Sequence, residues 1–288
     1  MYIRCKDVMN DLVNVNDVFD NIMKAAEQGD TAQLMALSGQ TTDEAPKQGL
    51  SRLNINYETE TDEGVTLKKG AWKLYHNGEF IYADKVLFRP LVRTYEWSTW
   101  DPEEGRFASR SVQTPSLNNR FPDTTGGDKC GRLTKSEEES LGSDHPSVLA
   151  SRAATCNQVF YATITMTGKT ADGREVSLAD YPVVSYFKRS GFRPAREAIE
   201  TITEKKKAMS EVVFELSTER KKQGSVTYFV PVFKDTGDIV KTDKSSMDLM
   251  KTFYETIKAS NNTILEQYRE ALKLQKTSEE KDLEADFN

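Results

Sequence analysis

The sequence predicts an α+β fold with a mainly antiparallel β-core. Segments rich in β-branched and aromatic residues recur over 50–100, 158–187 and 212–233, as the strands of such a core require. Turn signals such as Asn77-Gly78 join neighbouring segments directly, which is typical of antiparallel hairpins. Helical patterns do not alternate with the strands one by one, as they would in a βαβ protein. We therefore expect most strands to pair with their neighbours in the chain.

An N-terminal helical segment and linker are predicted for residues 1–49. Apolar residues recur at helical spacing between Asn16 and Leu37, with a break near Gly29. Residues 38–49 are polar and contain turn-forming residues, which favours a loop. The start of the chain lacks the basic and apolar regions of a signal peptide, and no apolar run is as long as a membrane span. We therefore expect an intracellular protein without a membrane partner.

The core is predicted at 50–240 and begins with alternating strand patterns. These patterns place strands at 52–57, 65–75 and 79–97. Pro90 lies inside the third segment, and because proline cannot donate a ladder hydrogen bond, it requires an edge position or a bulge there.

Residues 101–151 are rich in Gly, Pro, Ser, Asp and Asn with little periodicity, which predicts a long loop within the core. Strand patterns resume after it at 158–167, 175–178, 183–187, 212–216 and 225–233. A short helix is predicted among them at 194–207, where apolar residues form one stripe. The apolar spacing of 245–274 predicts a long C-terminal helix, assigned to the segment 241–276.

With one helix inserted among the strands, the element order favours a five-stranded Greek-key barrel of the OB type. The predicted fold is thus an OB-like β-barrel core with an N-terminal helical segment, the inserted helix and the long C-terminal helix. Residues 277–288 follow as an acidic tail, which we expect to be disordered. This tail contains five acidic residues and one lysine, so it carries four of the six net negative charges of the chain. Basic stretches can therefore still dominate one face of the body.

Motifs for catalysis or metal binding are missing from the sequence. There is no G-x-x-x-x-G-K-[ST], G-x-S-x-G or H-E-x-x-H pattern, and the chain has only two histidines. Its three cysteines lie far apart and are interpreted as reduced structural thiols. We expect no metal, no cofactor and no enzymatic activity. A metal-dependent nuclease stays open as an alternative because carboxylates are abundant, although none has a suggestive spacing.

The strongest local feature is a stretch of interleaved aromatic and basic residues between Phe80 and Arg110. Nucleic-acid bases stack on aromatic rings while basic side chains contact phosphates. Alternate residues of a strand share a face, so Arg89 and Arg93 would point the same way, followed by Tyr95 and Trp97 if no bulge intervenes. The alternative is that most of these aromatic residues form core. The candidate contacts in this stretch are Tyr82, Lys85, Arg89, Arg93, Tyr95, Trp97, Trp100, Arg106 and Arg110.

A second aromatic and basic cluster lies at 186–196, beside the predicted start of the inserted helix. A helix N-terminus adds main-chain donors for a phosphate, whereas the plain alternative is a solvated basic turn. The candidates here are Lys188, Arg189, Phe192, Arg193 and Arg196. The predicted long loop could fold over a bound strand and adds Arg120, Lys129 and Arg132.

The end of the chain combines an acidic run with an aromatic residue, and in this it resembles the single-stranded DNA-binding proteins of bacteriophages. The match in the tail rests on Asp282, Glu284, Asp286 and Phe287, with an ordinary solubilising terminus as the alternative. The middle of the chain is also similar to this family through Lys129-Cys130-Gly131-Arg132-Leu133, the segment 160–168 and the segment 224–230.

The resemblance implies an OB-fold protein that coats single-stranded DNA during replication or recombination, in the cytoplasm of an infected bacterial host. In that family the acidic tail docks on a polymerase, helicase or primase. Some N4-like phages use a related single-strand binder as a cofactor of their own RNA polymerase, so a transcription cofactor that binds single-stranded promoter DNA is an alternative. A third hypothesis is a virion or scaffold protein without DNA affinity, whose aromatic residues are all core.

Overall fold

The computed structural model describes residues 49–62 and 64–286, with the side chains of the last helix described as far as Gln275. The predicted N-terminal helix at 16–37 lies outside these residues. The described part begins with five strands, which are β1 Ser51–Ile55, β2 Trp72–His76, β3 Glu79–Ala83, β4 Val86–Asp101 and β5 Arg106–Arg110. Asn77 and Gly78 both take positive φ angles, which is the conformation of a type I′ turn. The predicted hairpin is therefore confirmed between β2 and β3.

The segment 101–151 is more structured than the predicted long loop. Besides β5, it contains a 3-10 turn at Lys129–Gly131 and two short helices, α1 Lys135–Leu141 and α2 Pro146–Ala153. Local caps explain these helices, because Thr134 and Glu137 form a capping box on α1 and a proline opens α2. The prediction of a loop over this whole segment was wrong.

The second half of the core follows the predicted order with longer strands, and the segments predicted at 175–178 and 183–187 form one strand. Its elements are β6 Thr155–Lys169, β7 Glu175–Lys188, α3 Phe192–Glu204, β8 Val212–Gln223 and β9 Val226–Ile239. A final helix, α4 Lys244–Asp286, ends the described chain. It extends beyond the predicted end at 276, so the backbone of 277–286 continues the helix where a separate disordered tail was expected. No helix of the described residues is long and apolar enough to cross a membrane.

The described strands form one nine-stranded sheet in the order β3-β2-β1-β7-β6-β4-β8-β9, with β5 paired to β4. Every pairing is antiparallel except that of β1 with β7. The predicted α+β class and its mainly antiparallel sheet are confirmed. The sheet curls until β3 also meets β6, at the single pair Tyr82 and Lys169. It is not a clean closed barrel.

Pro90 lies at a β-bulge in the long strand β4. Pro90 pairs with Ala162 and Val92 pairs with Tyr161, so Leu91 is the additional residue. The predicted edge position or bulge at Pro90 is therefore confirmed as a bulge. Proline cannot donate a hydrogen bond to the ladder, so the pairing is irregular there. The additional residue also shifts the alternation of β4 by one position. Side chains after the bulge therefore face the side of the sheet opposite to the one that an unbroken strand would give them.

Two hydrophobic cores cover opposite faces of β4, β6 and β7. The larger core is rich in aromatic rings, including Trp72, Phe88, Phe160 and Phe187, and α3 packs on it through three apolar residues. The smaller core lies beneath α4, where Phe253 and Ile257 contact Leu91, Val92, Val159, Tyr161 and Val184. Since α3 and α4 cover different faces, the ends and edges of the sheet are left for other contacts.

Candidate nucleic-acid interface

An exposed aromatic ring lies beside β1, at Tyr57. Its ring meets that of Phe229 of β9 edge to face, with the centroids 6.0 Å apart, and its hydroxyl donates to the Phe229 carbonyl at 3.3 Å. Tyr57 is 52% exposed, so about half of its surface is open to solvent. We call the surrounding cleft the Tyr57 groove, and its lining includes Tyr57, Tyr186, Lys188, Gly191, Phe229 and Pro231.

Gly70 allows Phe229 to take its place in this groove. It has a φ of +83°, and a Cβ atom built on it would overlap the Phe229 ring. Thr218 of β8 donates its hydroxyl to the Gly70 carbonyl at 2.5 Å. The β8–β9 hairpin is therefore fixed against the loop between β1 and β2.

Positive charge lies at the edge of the Tyr57 groove, where Lys188 is one of the lining residues. The Arg52 guanidinium lies 4.3 Å from the centre of the Tyr186 ring, close enough for a cation–π contact. Burial lowers the pKa of Lys188, and the positive charges of Arg189 and Arg52 lower it further. The side chains of Arg52, Lys188 and Arg189 are exposed, and an anion offsets the repulsion among such like charges. The groove thus combines an exposed ring with one lining cation, Lys188, that can contact a phosphate.

A second cleft, which we call the Tyr95 groove, is lined by Arg93, Tyr95, Leu117, Arg196 and Ile199 among others. The Arg93 guanidinium lies 5.4 Å from the Tyr95 ring centre, and this ring is 6.3 Å from that of Phe192. Arg196 donates to Glu200 at 2.6 Å, and Arg193 donates to Glu197 at the same distance. Salt bridges along α3 therefore offset part of its positive charge.

The two grooves lie on either side of the turn between β7 and α3. Ser190 and Gly191 of this turn line the Tyr57 groove, while Phe192 packs on Tyr95. Gln158 donates to the Phe192 carbonyl at 2.6 Å, which ties the start of α3 to β6. The predicted cluster at 186–196 is thus the boundary of both grooves.

The predicted shared face of Arg89 and Arg93 is wrong, because the bulge at Leu91 separates them. Arg89 pairs with Thr163 and Arg93 with Phe160, and these partners of β6 point to opposite faces. Arg93, Tyr95 and Trp97 do share a face, as expected. The Arg89 side chain donates to the main-chain carbonyls of Ser210 at 2.7 Å and Lys241 at 3.4 Å. Arg89 therefore links β4 to the turn before β8 and to the loop between β9 and α4.

Another aromatic pair lies on the β4–β5 hairpin, away from both grooves. Trp100 is 52% exposed, and its ring meets that of Phe107 at 5.2 Å between centroids. Arg106 forms an ion pair with Glu104. These side chains form a separate patch, which borders a cleft against α4.

Arg110 belongs to a buried polar network beneath α4. It donates to Glu96 at 3.0 Å, and the Glu96 side chain is only 1% exposed. Gln113 also donates to Glu96, at 3.3 Å, and accepts from Thr94 and Tyr161. Burial raises the pKa of Glu96, while the charge of Arg110 opposes that rise. This network indicates a structural role for Arg110.

The remaining candidates are spread over the molecule. Tyr82 and Lys85 line a cleft at the turn between β3 and β4, and Lys85 forms an ion pair with Glu215 at 2.9 Å. Arg132 pairs with Glu138 at 3.1 Å. Arg120 is exposed, whereas Trp97 and Lys129 are half-buried. In the tail, Asp282, Glu284 and Asp286 lie in the helical backbone of α4, and Phe287 lies outside the described residues.

Sequence reasoning missed Tyr57, Phe229 and Arg52. Tyr57 and Phe229 are far apart in the chain and meet only because β9 folds back over the end of β1. Neither lies in a stretch where basic and aromatic residues alternate, which is the pattern that selected the other candidates. Arg52 was an isolated charge within a predicted strand. No local signal could have brought Tyr57 and Phe229 together.

Two further features of the described residues concern metal ligands and cysteine thiols. Within 49–62 and 64–275, no three His, Cys, Asp or Glu side chains are placed to hold a metal ion. Burial raises the pKa of the Cys130 and Cys156 thiols to about 12, so both are protonated near neutral pH. Comparison with known proteins gave no match to any family model, curated protein or solved structure.

Proposed function

We propose that this chain binds single-stranded DNA without sequence preference, as a phage protein of replication or recombination. The observation that carries the proposal is the Tyr57 groove, where a half-exposed tyrosine and the cation Lys188 line the same cleft. Every base has a face that can stack on such a ring, and every nucleotide has a phosphate for the cations. In this proposal the curled sheet formed by β1, β2, β3, β6 and β7 is an OB-like core, and the acidic end of α4 is a partner site.

The preference for single strands follows from which parts of a nucleotide the groove can contact. In a duplex the base faces are stacked on one another, and only edges and phosphates are accessible. Tyr57 offers a ring face rather than an array of hydrogen-bond donors and acceptors. A single strand can use both the ring and the cations, whereas a duplex can use only the cations. The net charge of −6 also disfavours binding by charge alone.

The proposal is tested by fluorescence anisotropy of labelled single-stranded and duplex oligonucleotides titrated with the full chain over a salt series. We expect tighter binding of the single strand and a steep loss of affinity with salt, because each phosphate contact releases counterions. Equal binding of both DNA forms would show that stacking on the Tyr57 ring does not contribute to binding. Absence of binding to either form at low salt would overturn the proposal and favour a structural role.

The bulge in β4 provides a matched pair of arginine variants. We expect Arg89→Met to lower the free energy of unfolding by about 1–3 kcal/mol, because two main-chain carbonyls lose a charged donor. We expect Arg93→Met to leave the unfolding free energy nearly unchanged and to reduce the salt dependence of single-strand binding by about one phosphate contact. Denaturant unfolding and anisotropy on both variants measure the two effects. The reverse result would assign the DNA contact to the Arg89 face.

A further inference from the structure

The tip of the β8–β9 hairpin forms an arm that extends beyond the two cores. All residues from Glu219 to Thr227 are exposed, yet the strands stay paired as far as Gln223 and Val226. Gly224 makes the turn with a φ of +59°. None of these residues belongs to either hydrophobic core. Core packing therefore does not determine which types of side chain the arm carries.

The basic residues of the arm are divided between its two faces. Arg220 is paired with Phe229 and Lys222 with Thr227, and side chains of alternate pairs share a face. Arg220 and Lys222 therefore lie on the face of the arm that includes Phe229. Lys221 is paired with Tyr228 on the other face, where it forms an ion pair with Glu219 at 2.5 Å.

This arrangement continues the Tyr57 groove outward. Phe229 lines the groove together with Tyr57, and Arg220 is its direct neighbour across the hairpin. Lys222 lies two residues further along β8, about 7 Å from Arg220 along the strand. Two cations thus follow the aromatic pair in a line that leads away from the body.

We propose that this arm is a second DNA contact, in which Arg220 and Lys222 bind phosphates of the single strand whose bases stack in the Tyr57 groove. The inference rests on the proposed function and adds a direction to it, since the strand leaves the groove along the Phe229 face of the arm. Lys221 lies on the opposite face of the arm, where it is paired with Glu219, and is not part of this contact.

A competing explanation is protection of the arm's free edges. Charged residues, lysine above all, discourage edge strands from pairing with other chains. Such protection depends on charge at the edge and not on one face, so Lys221 and Lys222 would serve it equally. A comparison of the two faces therefore separates protection from DNA contact.

The test compares two double variants of the full chain that each remove two positive charges. R220Q/K222Q alters the Phe229 face, while K221Q/K234Q alters the opposite face, where Lys234 is paired with Glu215. We expect R220Q/K222Q to weaken single-strand binding about tenfold at low salt and to reduce the salt slope by about 1.4, which corresponds to two phosphates. We expect K221Q/K234Q to leave the slope at the wild-type value.

Two further measurements make the outcome decisive. On an oligonucleotide too short to reach from the groove to the arm, R220Q/K222Q should bind like the wild type. Circular dichroism melting should show that both variants keep the fold, as expected for exposed positions. Equal loss of affinity in the two variants, or equal binding by all three proteins, would overturn the inference. Failure of the wild-type chain to bind any single strand would overturn the proposed function and this inference with it.

Discussion

Replacement of Arg110 by methionine is expected to lower the free energy of unfolding by about 3–5 kcal/mol. The variant leaves the Glu96 carboxylate buried without its counter-charge, because Arg110 donates to it at 3.0 Å and the Glu96 side chain is 1% exposed. Methionine keeps most of the volume of the arginine stem, so the cost comes from the lost charge rather than from a cavity. Denaturant unfolding of the wild type and the variant near pH 7 measures the difference.

The loss of stability in Arg110→Met should depend on pH with a defined sign. Burial already raises the pKa of Glu96, and Arg110 opposes that rise, so removal of Arg110 raises the pKa further. A carboxyl group whose folded pKa exceeds its unfolded pKa stabilises the fold below the unfolded value and loses that contribution as pH rises through the folded value. The deficit of the variant should therefore be larger at about pH 8 than at about pH 5.

The double variant Glu96→Met with Arg110→Met provides the control. Two apolar side chains in place of a buried ion pair are often as stable as the pair itself, so we expect most of the lost unfolding free energy to return. A double-mutant cycle then gives the coupling between the two residues. If Arg110→Met instead keeps full stability and weakens DNA binding, Arg110 is a DNA contact and its pairing with Glu96 is incidental.

The features that could be predicted from the sequence depend on local patterns. The turn at Asn77-Gly78 needs two adjacent residues that accept positive φ, and α3 needs only a stripe of apolar residues on one face. Pro90 predicted an irregularity in β4, because proline has no main-chain N–H to donate in any context. The turn and α3 were therefore found close to their true bounds, whereas the single strand predicted at 79–97 is two strands, β3 and β4.

The features that could not be predicted depend on contacts between distant segments. The pattern around Pro90 could not fix the position of the bulge, and a shift of one residue moves every later side chain to the other face. For this reason Arg89 and Arg93 were assigned to one face and lie on two. The Tyr57 groove was missed because Tyr57 meets Phe229 only through the curl of the sheet. The alternation of aromatic and basic residues thus found the basic turn at Lys188 but not the exposed ring beside it.

Replacement of Tyr57 by alanine is expected to weaken single-strand binding by about 1–3 kcal/mol, or roughly 5- to 150-fold. Tyr57 is half exposed, so the variant removes a surface on which a base can stack. Tyr57→Phe is the matched control, because it keeps the ring and loses only the hydroxyl bond to the Phe229 carbonyl. We expect its affinity to remain close to that of the wild type.

The salt dependence of the Tyr57 variants separates stacking from charge. Stacking releases no counterions, so Tyr57→Ala should lower the affinity at every salt concentration without a change of slope. A variant of a cation in the same groove, such as Lys188→Gln, should reduce the slope by about 0.7. If Tyr57→Ala binds as tightly as the wild type while Lys188→Gln reduces the slope, the groove binds phosphate alone. The preference for single strands over duplex should then disappear, because only the ring distinguishes the two forms.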